Sequence, residues 1–146
     1  MPEQKTLQRA RRDAAEGKSP STQAGEFVRE QIHHIREGKH GARSAKQAIA
    51  IGLSEARRAG VPLTPPQGRG EVTRKARRDV AAGARRARRS VKRSRARVKA
   101  LKKEGRSAAS HAALSRQAKQ AARKRGPRAR SQAARKAART RRRTSR

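Results

Sequence analysis

The sequence predicts an all-α protein: a small helical hairpin module, then long basic Ala/Arg-rich helices and a largely disordered tail. Three observations lead there. Ala supplies 29 of the 146 residues and Lys+Arg 43, good helix material once its charge is neutralised. In the first half, apolar residues recur at helical spacing between start and stop signals. Leu, Ile, Val and Phe together number only 16, about 11% of the chain, well under the roughly 20% below which highly charged chains tend to stay disordered. A single large core is therefore not expected, and much of the chain should order on its partner.

A first helix, about residues 3–16, has Leu7 as its one large apolar residue. A second, about 20–37, starts at Ser19-Pro20 and stops at Gly38. Ala24, Phe27, Val28, Ile32 and Ile35 form its apolar stripe. A third, about 45–59, opens on a Ser44/Gln47 capping box and closes on a Schellman-type Gly60-Val61-Pro62. Ala48, Ile49, Gly52, Leu53 and Ala56 share one of its faces, and Ile51 lies off that stripe. The loop 38–43 suggests an antiparallel hairpin over 20–59 within a module 1–61, packed through Phe27, Val28, Ile32, Ile35, Ile49 and Leu53. About 40 residues rarely bury enough surface to be stable alone. The hairpin should pack on the first helix, form a homodimer or remain marginal, and dimerisation is the favoured expectation.

Residues 62–70, dense in Pro and Gly, read as a linker to a basic region 71–146. There a nearly continuous helical pattern runs from Glu71 to Glu104. It carries a heptad-like stripe of Val80, Ala84, Ala87, Val91, Ser94, Val98 and Leu101, against which like charges repel. Gly83 weakens that helix by about 1 kcal/mol relative to Ala. A further helix over 107–125 stops at Gly126-Pro127, and 128–146 reads as a basic tail. There is also a faint internal echo: Ala10-Arg11-Arg12-Asp13-Ala14-Ala15-Glu16-Gly17 resembles Ala76-Arg77-Arg78-Asp79-Val80-Ala81-Ala82-Gly83.

A formal net charge of +33 requires a polyanion. Nucleic acid has the highest linear charge density, and displacing its counterions gives tight, salt-sensitive, largely sequence-blind binding. Most of the surplus lies after residue 66, where 31 cations meet 3 acidic residues. The candidate phosphate contacts are Arg74, Lys75, Arg77, Arg78, Arg85, Arg86, Arg88, Arg89, Lys92, Arg93, Arg95, Arg97, Lys99, Lys102 and Lys103. Farther on come Arg123, Lys124, Arg125, Arg141, Arg142 and Arg143. Arg forks suit phosphate oxygens and narrow minor grooves. With a single Phe and no Tyr or Trp, the chain lacks the stacking platform of single-strand binders, so duplex DNA is the expected partner and structured RNA the second.

Other classes fare less well. No Gly-x-Ser-x-Gly, Walker or His-Glu-x-x-His motif is present, so no enzyme, small-molecule substrate or cofactor is expected. The absence of Cys removes disulfides and thiolate zinc sites. Adjacent His33 and His34 point to different helix faces and His40 lies in a loop. A metal site would need them to converge with a carboxylate such as Glu37, and solvated histidines are the expectation. Read as a helix-turn-helix, the pair 20–37 and 45–59 has a loop longer than the usual turn, which favours packing over operator reading. No membrane span or secretory signal is expected, and a membrane-active helix would carry larger apolar residues than Ala. The expected role is that of a cytoplasmic, nucleoid-associated, histone-like architectural protein. The alternatives are an RNA-binding or ribosome-associated protein, and an adaptor using residues 19–61.

The block Lys46-Gln47-Ala48-Ile49-Ala50-Ile51-Gly52-Leu53-Ser54-Glu55-Ala56-Arg57-Arg58-Ala59-Gly60 resembles a family of small basic bacterial proteins of unknown function. Ser19–Val28 and Gly38–Ser44 look like its upstream part, so the resemblance covers about 19–61. It implies a bacterial or phage source and no particular activity. Residues 70–146 resemble bacterial histone H1-like tails in composition, although those favour Lys and Pro where this chain favours Arg.

Overall fold

A computed structural model describes residues 2–85 and 90–144. The candidates Arg86, Arg88 and Arg89, and the side chain of Arg143, lie outside the described residues. Among the described residues all regular structure is helical, as the composition and periodicity predict. The helices are α1 (Gln4–Ala15), α2 (Pro20–Arg36), α3 (Ala45–Arg58), α4 (Glu71–Ala84), α5 (Val91–Leu101) and α6 (His111–Thr144), with a 3₁₀ turn at Ser107–Ala109. The chain divides into two compact units, Met1–Ser110 and His111–Arg146.

In the first unit α1 packs on α2, α2 on α3 and α3 on α4. Phe27 of α2 clusters with Ala56 near the end of α3, whereas Ile35 clusters with Ala48 near its start, so the two helices run antiparallel. They approach closely at Gly52, where an added Cβ would lie 2.7 Å from Val28 Cα. The burial a bare hairpin lacks comes from the same chain. Ala10 and Leu7 of α1, with Val61 and Leu63 beyond α3, complete the cluster around Phe27. Ala42, Ala108 and Ala109 complete the one around Ile35, with Ile32 packed against it. Phe27 and Ile35 are fully buried. Leu53 packs half-buried on the first cluster, and Val28 and Ile49 are half-buried.

The helix ends follow the local sequence. Ser44 accepts from the Gln47 N–H at 3.2 Å. Gln47 Oε1 accepts in turn from Arg43, one residue upstream of the reciprocal partner in a standard capping box. Ser19 is at the α2 N-cap, but its hydroxyl bonds Ser21 and Thr22 hydroxyls rather than a backbone N–H. At the end of α3, Gly60 N–H donates to Arg57 C=O and Val61 N–H to Ala56 C=O, the paired bonds of a Schellman motif. Gly60 takes the φ of +93° that this ending requires.

The stretch 71–104 departs from the expected continuous stripe. α4 turns Thr73, Ala76, Asp79 and Gly83 inward, while Val80 is half-buried and Ala84 exposed. Val91 and Val98 of α5 are exposed and Leu101 is buried. The physical reason is a polar anchor: buried Asp79 takes three donors, which a Val-based register would leave unpaired. Gly83 fits the same face, because a Cβ there would collide with the Arg57 carbonyl of α3. The sequence echo has a counterpart here: Ala10 and Asp13 of α1, and Ala76 and Asp79 of α4, are all buried. α5 is joined to the hairpin loop by backbone bonds, Gly41 N–H to Leu101 C=O (2.9 Å) and Ala42 N–H to Gly105 C=O (3.0 Å).

The second unit is α6. Its path breaks at Gly126 (φ +74°, ψ 169°), with Pro127 opening the second piece, where Gly-Pro predicts a stop. Beyond it the largely disordered tail expected from composition is not what the structure shows, since helix continues to Thr144.

Candidate nucleic-acid interface

The carboxylates are spent almost entirely inside the first unit. Asp79, 2% exposed, accepts from Ser54 Oγ (2.7 Å), Arg58 Nε (2.7 Å) and Lys75 Nζ (3.0 Å). Burial alone would raise its carboxyl; the hydrogen bonds from Ser54, Arg58 and Lys75 together outweigh this and hold it below the ordinary aspartate value. Asp13 pairs with Lys18 at 2.7 Å, and Glu26 with Arg9 and Arg29. Glu104 pairs with Arg43 at 3.7 Å, and Glu37 with Lys39 at 3.0 Å. Buried Glu55 accepts from Gln31 Nε2 at 2.7 Å. Glu71 occupies the first turn of α4, where the helix dipole favours a negative charge.

The cations are placed differently. On α4, Arg74, Arg77 and Arg78 are exposed. Lys75 is drawn half-buried into the Asp79 network, so its charge already has a partner. Arg85 just beyond α4 is exposed. So are Lys92, Arg93, Arg95, Arg97 and Lys99 of α5 and the following Lys102 and Lys103. On α6, Arg123, Lys124, Arg125, Arg141 and Arg142 are exposed. Residues 111–146 contain 14 Lys and Arg and no Asp or Glu. Fifteen helical residues before Gly126 reach about 22 Å, and duplex DNA carries one charge per about 1.7 Å of axis. Each piece of α6 therefore presents cations over a length that many phosphates share.

A groove of about 520 Å³ separates α5 from the α2–α3 pair. Arg93 and Arg97 line it on α5; Gln31, His40 and Glu55 line it opposite, and Ile51, off the α3 stripe, is buried beside it. His40 Nε2 lies 3.1 Å from Gln31 Oε1, continuing the bond between Gln31 and Glu55. The single Phe of the chain is sealed in the core, so no Phe, Tyr or Trp ring offers a base a stacking surface.

Sequence reasoning missed several working polar residues. Asp79, Glu30, Gln31 and Glu55 are buried where a helical-period reading expects apolar residues. The signal that would have found Asp79 is the echo itself, which repeats an Ala-Arg-Arg-Asp sequence at two helix faces. Of the histidines, His34 meets Glu3 (3.0 Å) and Glu30 (3.8 Å) rather than Glu37. Hydrogen bonds from His34, then Lys39, hold the Glu3 carboxyl below its ordinary value. Among the described residues no helix is long and apolar enough to cross a membrane.

Residues 17–67 match a family of unknown function, DUF6496. The match spans the α2–α3 hairpin and the start of the linker, so it describes the hairpin and not α4, α5 or α6. No curated protein and no solved structure matches the chain.

Proposed function

We propose that this protein binds duplex DNA without sequence preference, by phosphate neutralisation, as a histone-like architectural protein of the nucleoid in the cytoplasm. One observation carries the reading. The ten acidic side chains all lie in the first unit, most of them paired there, while α5 and α6 present rows of exposed Lys and Arg, and the last 36 residues contain 14 cations and no acid. A solvated face balances its charges locally; this one does not. The buried Phe27 supports a duplex over a single strand, because base stacking is unavailable. Binding of this kind needs no cofactor and no catalytic step. In the same proposal the hairpin sets oligomeric state or recruits a protein partner, and Arg74, Arg77 and Arg78 extend the contact onto the first unit.

The test is a salt titration of the full chain on duplex DNA and on a structured RNA of equal length. With six to ten phosphate contacts, affinity for DNA falls by about 10³–10⁵ between 50 and 200 mM salt. Duplex binding at least as tight as RNA binding, with that slope and no preference among DNA sequences, supports the proposal. A clear preference for RNA moves the protein to the RNA-binding class, and a flat salt response removes phosphate neutralisation as the mechanism.

A further inference from the structure

Three ligand-type side chains that are far apart in sequence meet where the start of α1 crosses α2. Glu3 is the N-cap residue of α1, and Glu30 and His34 are one turn apart on α2. One donor atom from each lies within 4.8 Å of the others. His34 Nε2 is 3.0 Å from Glu3 Oε1 and 3.8 Å from Glu30 Oε1. Donors on a tetrahedral zinc at about 2.0–2.1 Å stand about 3.3 Å apart, midway between those two separations. A rotation of the exposed Glu3 side chain adjusts the first separation, and a small tilt of the half-buried His34 ring the second.

The independent observation is Glu30. Its side chain is 4% exposed, and its Oε1 accepts from the Glu3 N–H at 2.9 Å. Its Oε2 is buried without any hydrogen-bond partner. A buried carboxylate with one oxygen lacking a donor is costly, and a cation held through Oε1, 3.8 Å from His34 Nε2, offsets the charge of the whole group. The neighbouring cation is already provided for elsewhere. Lys39 Nζ lies 3.4 Å from Glu3 but closer, at 3.0 Å, to Glu37, which keeps it when Glu3 turns away. His40 does not compete, since its ring nitrogens face Gly41 C=O and Gln31 Oε1.

We propose that Glu3, Glu30 and His34 form a site for a divalent transition metal of the zinc type, with solvent completing the coordination. An imidazole with two carboxylates selects zinc-like ions over magnesium and calcium, which take oxygen donors alone. The ion neutralises the two carboxylates and ties the start of α1 to α2, so metal binding stabilises the first unit. This proposal is independent of nucleic-acid binding.

The experiment is a zinc titration of the full chain against a chromogenic chelator, with thermal melts in zinc, in magnesium and in neither. The wild-type chain takes up one zinc ion and melts higher in zinc but not in magnesium. Glu3→Gln and His34→Gln, at positions that are not buried, each weaken zinc binding by at least about tenfold and remove the melting shift. His34→Gln keeps a donor for Glu3, so a merely structural role would survive it. His33→Ala, exposed on another face, leaves binding unchanged. No zinc uptake by the wild-type chain, or uptake equally tight in Glu3→Gln and His34→Gln, overturns the site.

Discussion

Arg58 Nε donates to Asp79 Oδ1 at 2.7 Å and so bridges α3 to α4 across the Pro/Gly linker. Ser54 and Lys75 take the other oxygen of the same carboxylate. The contact makes α4, for all its Arg, part of the compact unit.

Asp79→Asn should therefore cost stability. It leaves donors facing a neutral amide, but Arg58 and Lys75 are 38% and 45% exposed and regain water. The expected loss is about 2 kcal/mol, below that of a fully buried pair, and urea unfolding followed by circular dichroism measures it.

The same residue fixes a pH dependence. The folded carboxyl lies below its ordinary value of 3.8, so the folded state holds on to the proton less than the unfolded chain does. Its contribution is complete above that value and is lost as pH falls through the lower folded one. Melting temperature in wild type should drop more steeply with acid, below about pH 4, than in Asp79→Asn. Parallel curves would remove Asp79 as the source.

Two glycines in helices should respond in opposite directions. Gly25 has open space around its would-be Cβ, and Gly25→Ala should stabilise by about 0.5–1 kcal/mol. At Gly83 the Arg57 carbonyl stands in the way, and Gly83→Ala should destabilise by about 1–3 kcal/mol despite the better propensity. Denaturant midpoints of the two variants compare them directly.

Phe27→Ala empties the largest buried side chain of a core otherwise made mostly of Ala. The expected cost is about 3–5 kcal/mol, comparable to the whole stability of a small domain. Loss of the cooperative unfolding transition reports it.

Replacing Arg123, Lys124 and Arg125 together by Gln tests the proposed interface. If all three contact phosphates, the log–log salt slope for duplex DNA becomes shallower by about 2.7, since each contact contributes about 0.9. An unchanged slope would place the contacts elsewhere on the chain.

What the sequence made legible was the hairpin, because Phe27, Ile35, Ala48 and Ala56 obey a helical period and Ser44, Gly38 and Gly60 mark its ends. What it hid has a common cause. Periodicity counts apolar residues, and α4 packs through Thr73, Asp79 and Gly83, which such a count reads as solvent-facing. The stripe through Val91 and Val98 followed the wrong face for the same reason. The meeting of Glu3 with Glu30 and His34 joins residues 27 and 31 positions apart, which no local spacing encodes. The surplus of cations was legible without a fold, but not that Lys75 is drawn into the Asp79 network.

The break at Gly126 bears on how α6 orders. Helical structure propagates residue by residue from a costly nucleus, and a residue at φ +74° interrupts that propagation. The arm is thus two cooperative segments, of 15 and 18 described residues, the first at and the second a little above the length of about 12–15 residues below which an isolated helix is marginal in water. Each must nucleate separately, and each can melt while the other holds. If the arm binds a polyanion as proposed, it can engage and let go in two steps, with partial release and rebinding in place of one all-or-none event.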